Sequence, residues 1–201
     1  MIKKNLILIL MISLFVIIFF NTSTEAYKLT GYHLNKSEQL LYYVHVDFSS
    51  TTFTHMNNAL YKWYQASGHN LMKRDPNIRH SVADFGTPNS NDGFNLVYKM
   101  AAGSGNYLAR NVWYANKTTK IISQSDINFN ADKKFANSAQ AYSYDAYSVF
   151  LHETGHTIGL DDLTSSTDDA VMYGDWSFRY NTISYRTLRQ DDINGALSIY
   201  S

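Results

Sequence analysis

The 201-residue chain contains no cysteine and only two prolines. The missing thiols exclude disulfides, thiolate metal ligands, a cysteine nucleophile and lipid attachment through sulfur, so stability must come from core packing and any bound metal. An excess of one charge is missing too, since lysine plus arginine and aspartate plus glutamate both number 17. That balance argues against nucleic acid or an anionic membrane surface as a partner. No internal repeat or low-complexity linker divides the chain. Its 45% apolar and 15% aromatic content suits one globular domain with a real core.

The one long apolar run lies at the start. Residues 6–20 are apolar apart from Ser13, preceded by Lys3 and Lys4 and followed by a polar stretch that ends in Ala26. Charged, greasy and then cleavable is the order of a secretory signal peptide. The run is also short of the roughly 20 residues that a spanning helix needs. We expect residues 1–26 to be a signal peptide, with Thr24 and Ala26 at the cleavage-site positions, and residues 27–201 to form the exported domain. The expected product is an extracellular monomer with no stable membrane association.

Residues 40–48, dense in aromatic and β-branched side chains, read as a strand. A helix should follow, capped by Ser50, Thr51 or Thr52, with Met56, Leu60, Trp63 and Tyr64 at helical spacing before Gly68. Residues 69–93 hold both prolines and many Asn, Asp, Ser and Gly, which predicts loop with one short strand. Residues 94–100 read as another strand, and 108–114 and 121–129 as a hairpin joined by 115–120. From Asp145 the period becomes helical up to Gly159. The chain closes on a helix whose Ile193, Ala196, Leu197 and Tyr200 share a face.

Chemistry concentrates in His152-Glu153-Thr154-Gly155-His156-Thr157-Ile158-Gly159-Leu160-Asp161-Asp162. On a helix, residues four apart share a face, so the His152 and His156 imidazoles can meet one metal ion. Glu153 lies too far round the helix to join them easily, yet it can reach a metal-bound water and take its proton. Gly159 can adopt a left-handed conformation without a Cβ penalty and turn the chain back. That reversal would bring the Asp162 carboxylate beneath the helix as a third ligand, leaving a fourth position open, as in catalytic zinc sites. With 7 His and 3 Glu in 201 residues, H-E-x-x-H arises by chance in roughly 0.004 such chains. A helix of ordinary buried histidines is therefore the weaker reading. Asp161 is the rival third ligand; one residue short, it reads as solvent-facing or as a support for the ligand next to it.

With these residues in place, the sequence resembles the metzincin metalloproteases and, among them, the matrixins. Their extended motif carries histidine where this chain has Asp162; snapalysin-type bacterial proteases carry aspartate there. Ala170-Val171-Met172-Tyr173 looks like the matrixin turn in which a methionine underlies the zinc. The closing run from Leu188 to Tyr200, with Asp191 and Asp192, is similar to the last matrixin helix, and Ser125 to Asn130 resembles the strand beside the substrate cleft. The resemblance implies an α+β metzincin (zincin-like) catalytic domain over 27–201, with a twisted, mostly parallel mixed sheet, an active-site helix, a methionine turn and a C-terminal helix. It implies zinc (Zn2+) as cofactor, held by His152, His156 and Asp162, with Glu153 as catalytic base acting on a protein or peptide substrate. Calcium (Ca2+) is a further cofactor the resemblance leaves open. Tyr173 and Trp176 would lie near the pocket for a substrate side chain, and Asp191 and Asp192 would brace the methionine turn.

The departures carry information of their own. No cysteine is available to block the zinc, and no upstream region looks long enough for a folded prodomain, so the expectation is activity without further processing. His69 and His80 are expected to be surface or loop histidines, not ligands. One carboxylate with two neutral imidazoles leaves a zinc site at about +1 rather than +2, which places more of the work on Glu153. The alternative from another class is a secreted binding protein or adhesin that keeps the metzincin fold without turnover; the intact Glu153 argues against it.

Overall fold

The computed structural model describes residues 27–76, 80–81, 86–103, 105–164, 169–175 and 182–201. The expected signal peptide, residues 1–26, and Trp176 lie outside them. Strand β1 (Leu40–Val44) buries alternate side chains as half-covered strands do, but it stops before the predicted end at 48. Helix α1 (Ser50–Ser67) follows, its cap being Ser49 one residue earlier than expected, where the side chain accepts from the Thr52 N–H at 3.1 Å. Met56, Ala59, Leu60, Trp63 and Ala66 form its buried stripe, and Gly68 closes it at a φ of 72°.

Strands β2 (Met72–Arg74), β3 (Asn95–Met100), β4 (Ala109–Ala115) and β5 (Ile122–Asn130) complete a five-stranded sheet in the order β2-β1-β3-β5-β4. All neighbours are parallel except β4 with β5, the predicted hairpin, so β4 is an antiparallel edge. Short strands β6 (Phe135–Ala136) and β7 (Tyr144–Asp145) form a separate pair, and helices α2 (Ala146–Thr157) and α3 (Gln190–Tyr200) follow. The core packs α1 and α2 on one face of the sheet through Tyr42, Met56, Trp63, Ile127, Phe129 and Phe150. On α3 the expected face is partly corrected. Ala196 and Tyr200 are buried, but Leu197 is 42% exposed, because α3 packs against a narrower strip than its apolar spacing offers.

The opposite face of β5 is polar yet buried. Gln124, Asp126, Asn128 and Asn130 point to it in alternation and hold the two loops that cover it. Gln124 accepts from the Gly93 N–H at 2.8 Å, Asp126 accepts from Asn89 N–H at 2.7 Å and Leu96 N–H at 2.9 Å, and Asn130 donates to the Tyr107 carbonyl at 2.8 Å. Burial pushes the Asp126 carboxyl up to about 6, with the two N–H donors pulling it back.

Asp145 begins the helix that carries the motif. Its carboxylate accepts from Ser148 N–H at 3.0 Å, and Arg186 donates to it from Nε at 2.9 Å and from a terminal nitrogen at 2.5 Å. The Asp145 side chain is 1% exposed, so Asp145→Ala removes a cap and both bonds to a partly buried guanidinium, which keeps its bond to the Asn137 carbonyl. The expected cost is about 3 kcal/mol of stability, read as the shift in a urea midpoint at constant slope. A loss below about 1 kcal/mol would mean that water replaces the pair freely.

Candidate active site

His152, Glu153 and His156 lie on the last two turns of α2, which ends at Thr157, two residues short of the predicted Gly159. Gly159 has a φ of 108°, and its missing Cβ leaves room for the Tyr32 carbonyl. A side chain there would meet both backbone strain and that oxygen. The chain turns back along an N-terminal strap, with Thr30 N–H donating to the Gly159 carbonyl at 2.9 Å and Asp161 N–H to the Lys28 carbonyl at 2.8 Å.

The reversal brings Asp162 to the two histidines. His152 and His156 lie edge to face with ring centroids 4.8 Å apart, and one donor atom from each of His152, His156 and Asp162 falls within 4.8 Å of the others. Asp162 Oδ1 is 3.3 Å from His152 Nε2 and 3.6 Å from His156 Nε2. Two ligands at about 2.1 Å in a tetrahedral shell are separated by about 3.4 Å, so the spacing is that of atoms sharing one ion. Among the described residues this is the only such grouping of three His, Cys, Asp or Glu side chains.

Proton bookkeeping points the same way. His152 Nδ1 lies 2.8 Å from the Val171 carbonyl and His156 Nδ1 2.9 Å from the Leu160 carbonyl. A carbonyl oxygen only accepts, so both Nδ1 atoms carry the hydrogen and a neutral ring presents a lone pair at Nε2. Asp162 Oδ1 is buried and meets no donor at hydrogen-bonding geometry. With both rings neutral, three electron pairs converge there, an arrangement that a cation stabilises and that zinc, with its N and O preferences, fits. Burial pushes the Asp162 carboxyl up, but His152, His156 and Lys28 outweigh it and hold it below the usual carboxylate range. Asp161 points elsewhere, its Oδ2 on Lys28 Nζ at 2.6 Å and its Oδ1 accepting from the Asp162 N–H at 2.9 Å.

Beneath the pair lies Met172, 2% exposed, against the flank of α2 where Gly155 has no side chain. A Cβ at Gly155 would overlap the Met172 sulfur and crowd the Trp63 ring. Asp192 on α3 anchors this turn by accepting from Val171 N–H at 2.9 Å, Met172 N–H at 3.0 Å and Arg189 N–H at 2.8 Å. The bracing falls to Asp192 alone; Asp191 makes none of these bonds.

Glu153 is 5% exposed beside the histidines. Burial raises its carboxyl to about 7, opposed by His156 and by the Asn111 N–H and reinforced by Asp162. Its cleft, about 510 Å³, is bordered by Leu108, Ala109 and Asn111 of the β4 side, with Val149 and Tyr144 beyond. This corrects the expectation for Ser125 to Asn130: β5 is interior, and the strand beside the cleft is β4. Sequence reasoning missed Asn111, for which the sequence alone gives no signal. Of the two histidines expected at surface or loop positions, His69 lies in the loop after α1, whereas His80 is buried. His80 is 8% exposed and close to Asp75 at 3.4 Å, while His69 Nε2 meets the Tyr200 carbonyl at 3.0 Å.

The family model Peptidase_M10, Matrixin, matches residues 36–201. Neutrophil collagenase of Homo sapiens is 39% identical over 75 residues, a match covering 37% of this chain and 15% of that protein. A putative matrix metalloproteinase of Spodoptera frugiperda ascovirus 1a is 35% identical over 82 residues, covering 37% of this chain and 21% of that protein. The matched segment thus spans less than a quarter of either relative. Among solved structures, high choriolytic enzyme 1, a hatching enzyme zinc-protease from Oryzias latipes, aligns over 86% of this chain and 92% of its own at 10% identity. Its TM-score is 0.37, too low to carry weight.

Proposed function

The chain belongs to the matrixin family, and from that membership we propose that it is a secreted zinc-dependent endopeptidase, with His152, His156 and Asp162 as metal ligands and Glu153 as catalytic base. The observation that carries the reading is the convergence of two Nε2 lone pairs and a buried carboxylate oxygen. Zinc bound there supplies a Lewis acid that polarises a peptide carbonyl and acidifies water.

The chain's own residues do the rest. An extended substrate lies along the free edge of β4, whose backbone groups can pair with it as an added strand. Glu153 takes the proton of the attacking water and passes it to the leaving amine, so the bond is hydrolysed without a covalent enzyme intermediate. Residues 1–26 act as a removable export signal, and the domain works as a monomer. Among the described residues no helix is long and apolar enough to cross a membrane.

Purified protein is expected to cleave a denatured, generic protein substrate, to stop when a chelator removes the metal, and to resume when zinc is returned. Retention of the family fold and zinc without cleavage of any substrate would favour the binding-protein alternative instead.

A further inference from the structure

We propose that Asn111 is the positioning residue for Glu153, coupling the cleft-edge strand β4 to the helix that carries the base; this rests on Glu153 acting as proposed above. Asn111 faces the core from β4, opposite Ile127 of β5. Its Nδ2 donates to the Glu153 carbonyl at 2.6 Å and to Thr157 Oγ1 at 2.7 Å, and its Oδ1 accepts from Ser125 Oγ at 2.9 Å. Both Nδ2 hydrogens are thus committed, and one side chain ties the main chain of the proposed base to β4.

The anchor is itself anchored. Thr157 Oγ1 and Ser125 Oγ lie 2.9 Å apart, and each meets the hydroxyl of the fully buried Tyr42 of strand β1, at 2.8 and 2.9 Å. Strands β1, β4 and β5 and helix α2 thereby share one buried polar cluster directly behind the cleft. The Glu153 carbonyl gains from this cluster the Asn111 amide and, at 3.4 Å, the Thr157 hydroxyl as donors besides the helical N–H four residues on, bonds not needed to satisfy it. A buried polar network exceeding what satisfaction requires restricts the arrangement of its members, and restriction of this kind is what a base needs to meet its proton within a few tenths of an ångström. Because Asn111 also borders the cleft, a peptide strand pairing with β4 presses on the residue that holds Glu153.

The test is steady-state kinetics on zinc-loaded Asn111→Ala, with zinc affinity measured by chelator competition and folding by thermal melting. We expect kcat to fall about 10- to 100-fold, the range for residues that orient an active group from behind. KM and zinc affinity should stay within about threefold. Thr157→Val, which removes a hydroxyl remote from substrate, should lower kcat in the same sense, and Thr157→Ser, which restores it, should recover most of the loss. A lowered melting temperature with kcat of the folded fraction unchanged would make Asn111 a packing residue and overturn the proposal. So would a fall in kcat matched by an equal loss of zinc, or a Thr157→Ser variant no better than Thr157→Val. Absence of cleavage by the wild-type protein itself would sink the protease reading rather than this one.

Discussion

Glu153→Gln is expected to lower the peptidase rate by about 10³-fold or more while zinc content stays at one ion per chain. The amide is nearly the same size as the carboxylate, so the packing around this 5%-exposed side chain should survive, but it cannot take up a proton. General acid–base catalysis typically contributes about 10²- to 10⁴-fold, and here one residue serves in both directions. The metal ligands are separate side chains on the same helix, and their Nδ1 bonds to Val171 and Leu160 do not involve Glu153. Metal analysis beside a cleavage assay decides the matter. A variant retaining most of the wild-type rate would show that the base is another group.

The second large effect separates the neighbouring aspartates. Asp162→Ala should weaken zinc binding by more than about 100-fold, beyond the range typical of residues that only support a ligand, whereas Asp161→Ala should stay within about that range. Removing Asp162 deletes the carboxylate that faces both Nε2 atoms, and with it the negative charge that favours a dication. Removing Asp161 leaves that oxygen in place and breaks a partly exposed pair with Lys28 and one bond to the Asp162 N–H. The support is local: backbone bonds between the strap and residues 159–161 still hold the turn. Chelator competition on both variants measures the ranking. The reverse order would move the third ligand to Asp161, and two negligible losses would mean that neither binds zinc.

The legible part of the site was the part written in consecutive residues. His152 and His156 meet because helical period puts i and i+4 on one face, and Gly159 turns the chain because its φ of 108° suits a residue without Cβ. Asp162 follows from those two facts. Asn111 could not be found this way, because its bond to the Glu153 carbonyl joins residues 42 apart and depends on how β4 packs against α2. The outer face of β5 misleads for a related reason. Gln124, Asp126, Asn128 and Asn130 alternate with apolar residues as a solvated face would, yet loops cover them and their hydrogen bonds are what hold those loops. Leu197 errs in the opposite sense: correct helical spacing extended the apolar face beyond what its neighbours bury. In each case the local period was right and the covering element, set by distant sequence, decided burial.

The central claim is tested most directly by titrating metal-free protein with zinc while following bound metal and hydrolysis of a denatured protein in the same samples. The rate should rise in proportion to bound zinc and level off at one ion per chain, with Glu153→Gln binding the same single ion and remaining silent. Hydrolysis that persists in the metal-free protein, or a chain that fills with one zinc and cleaves nothing, would contradict the account.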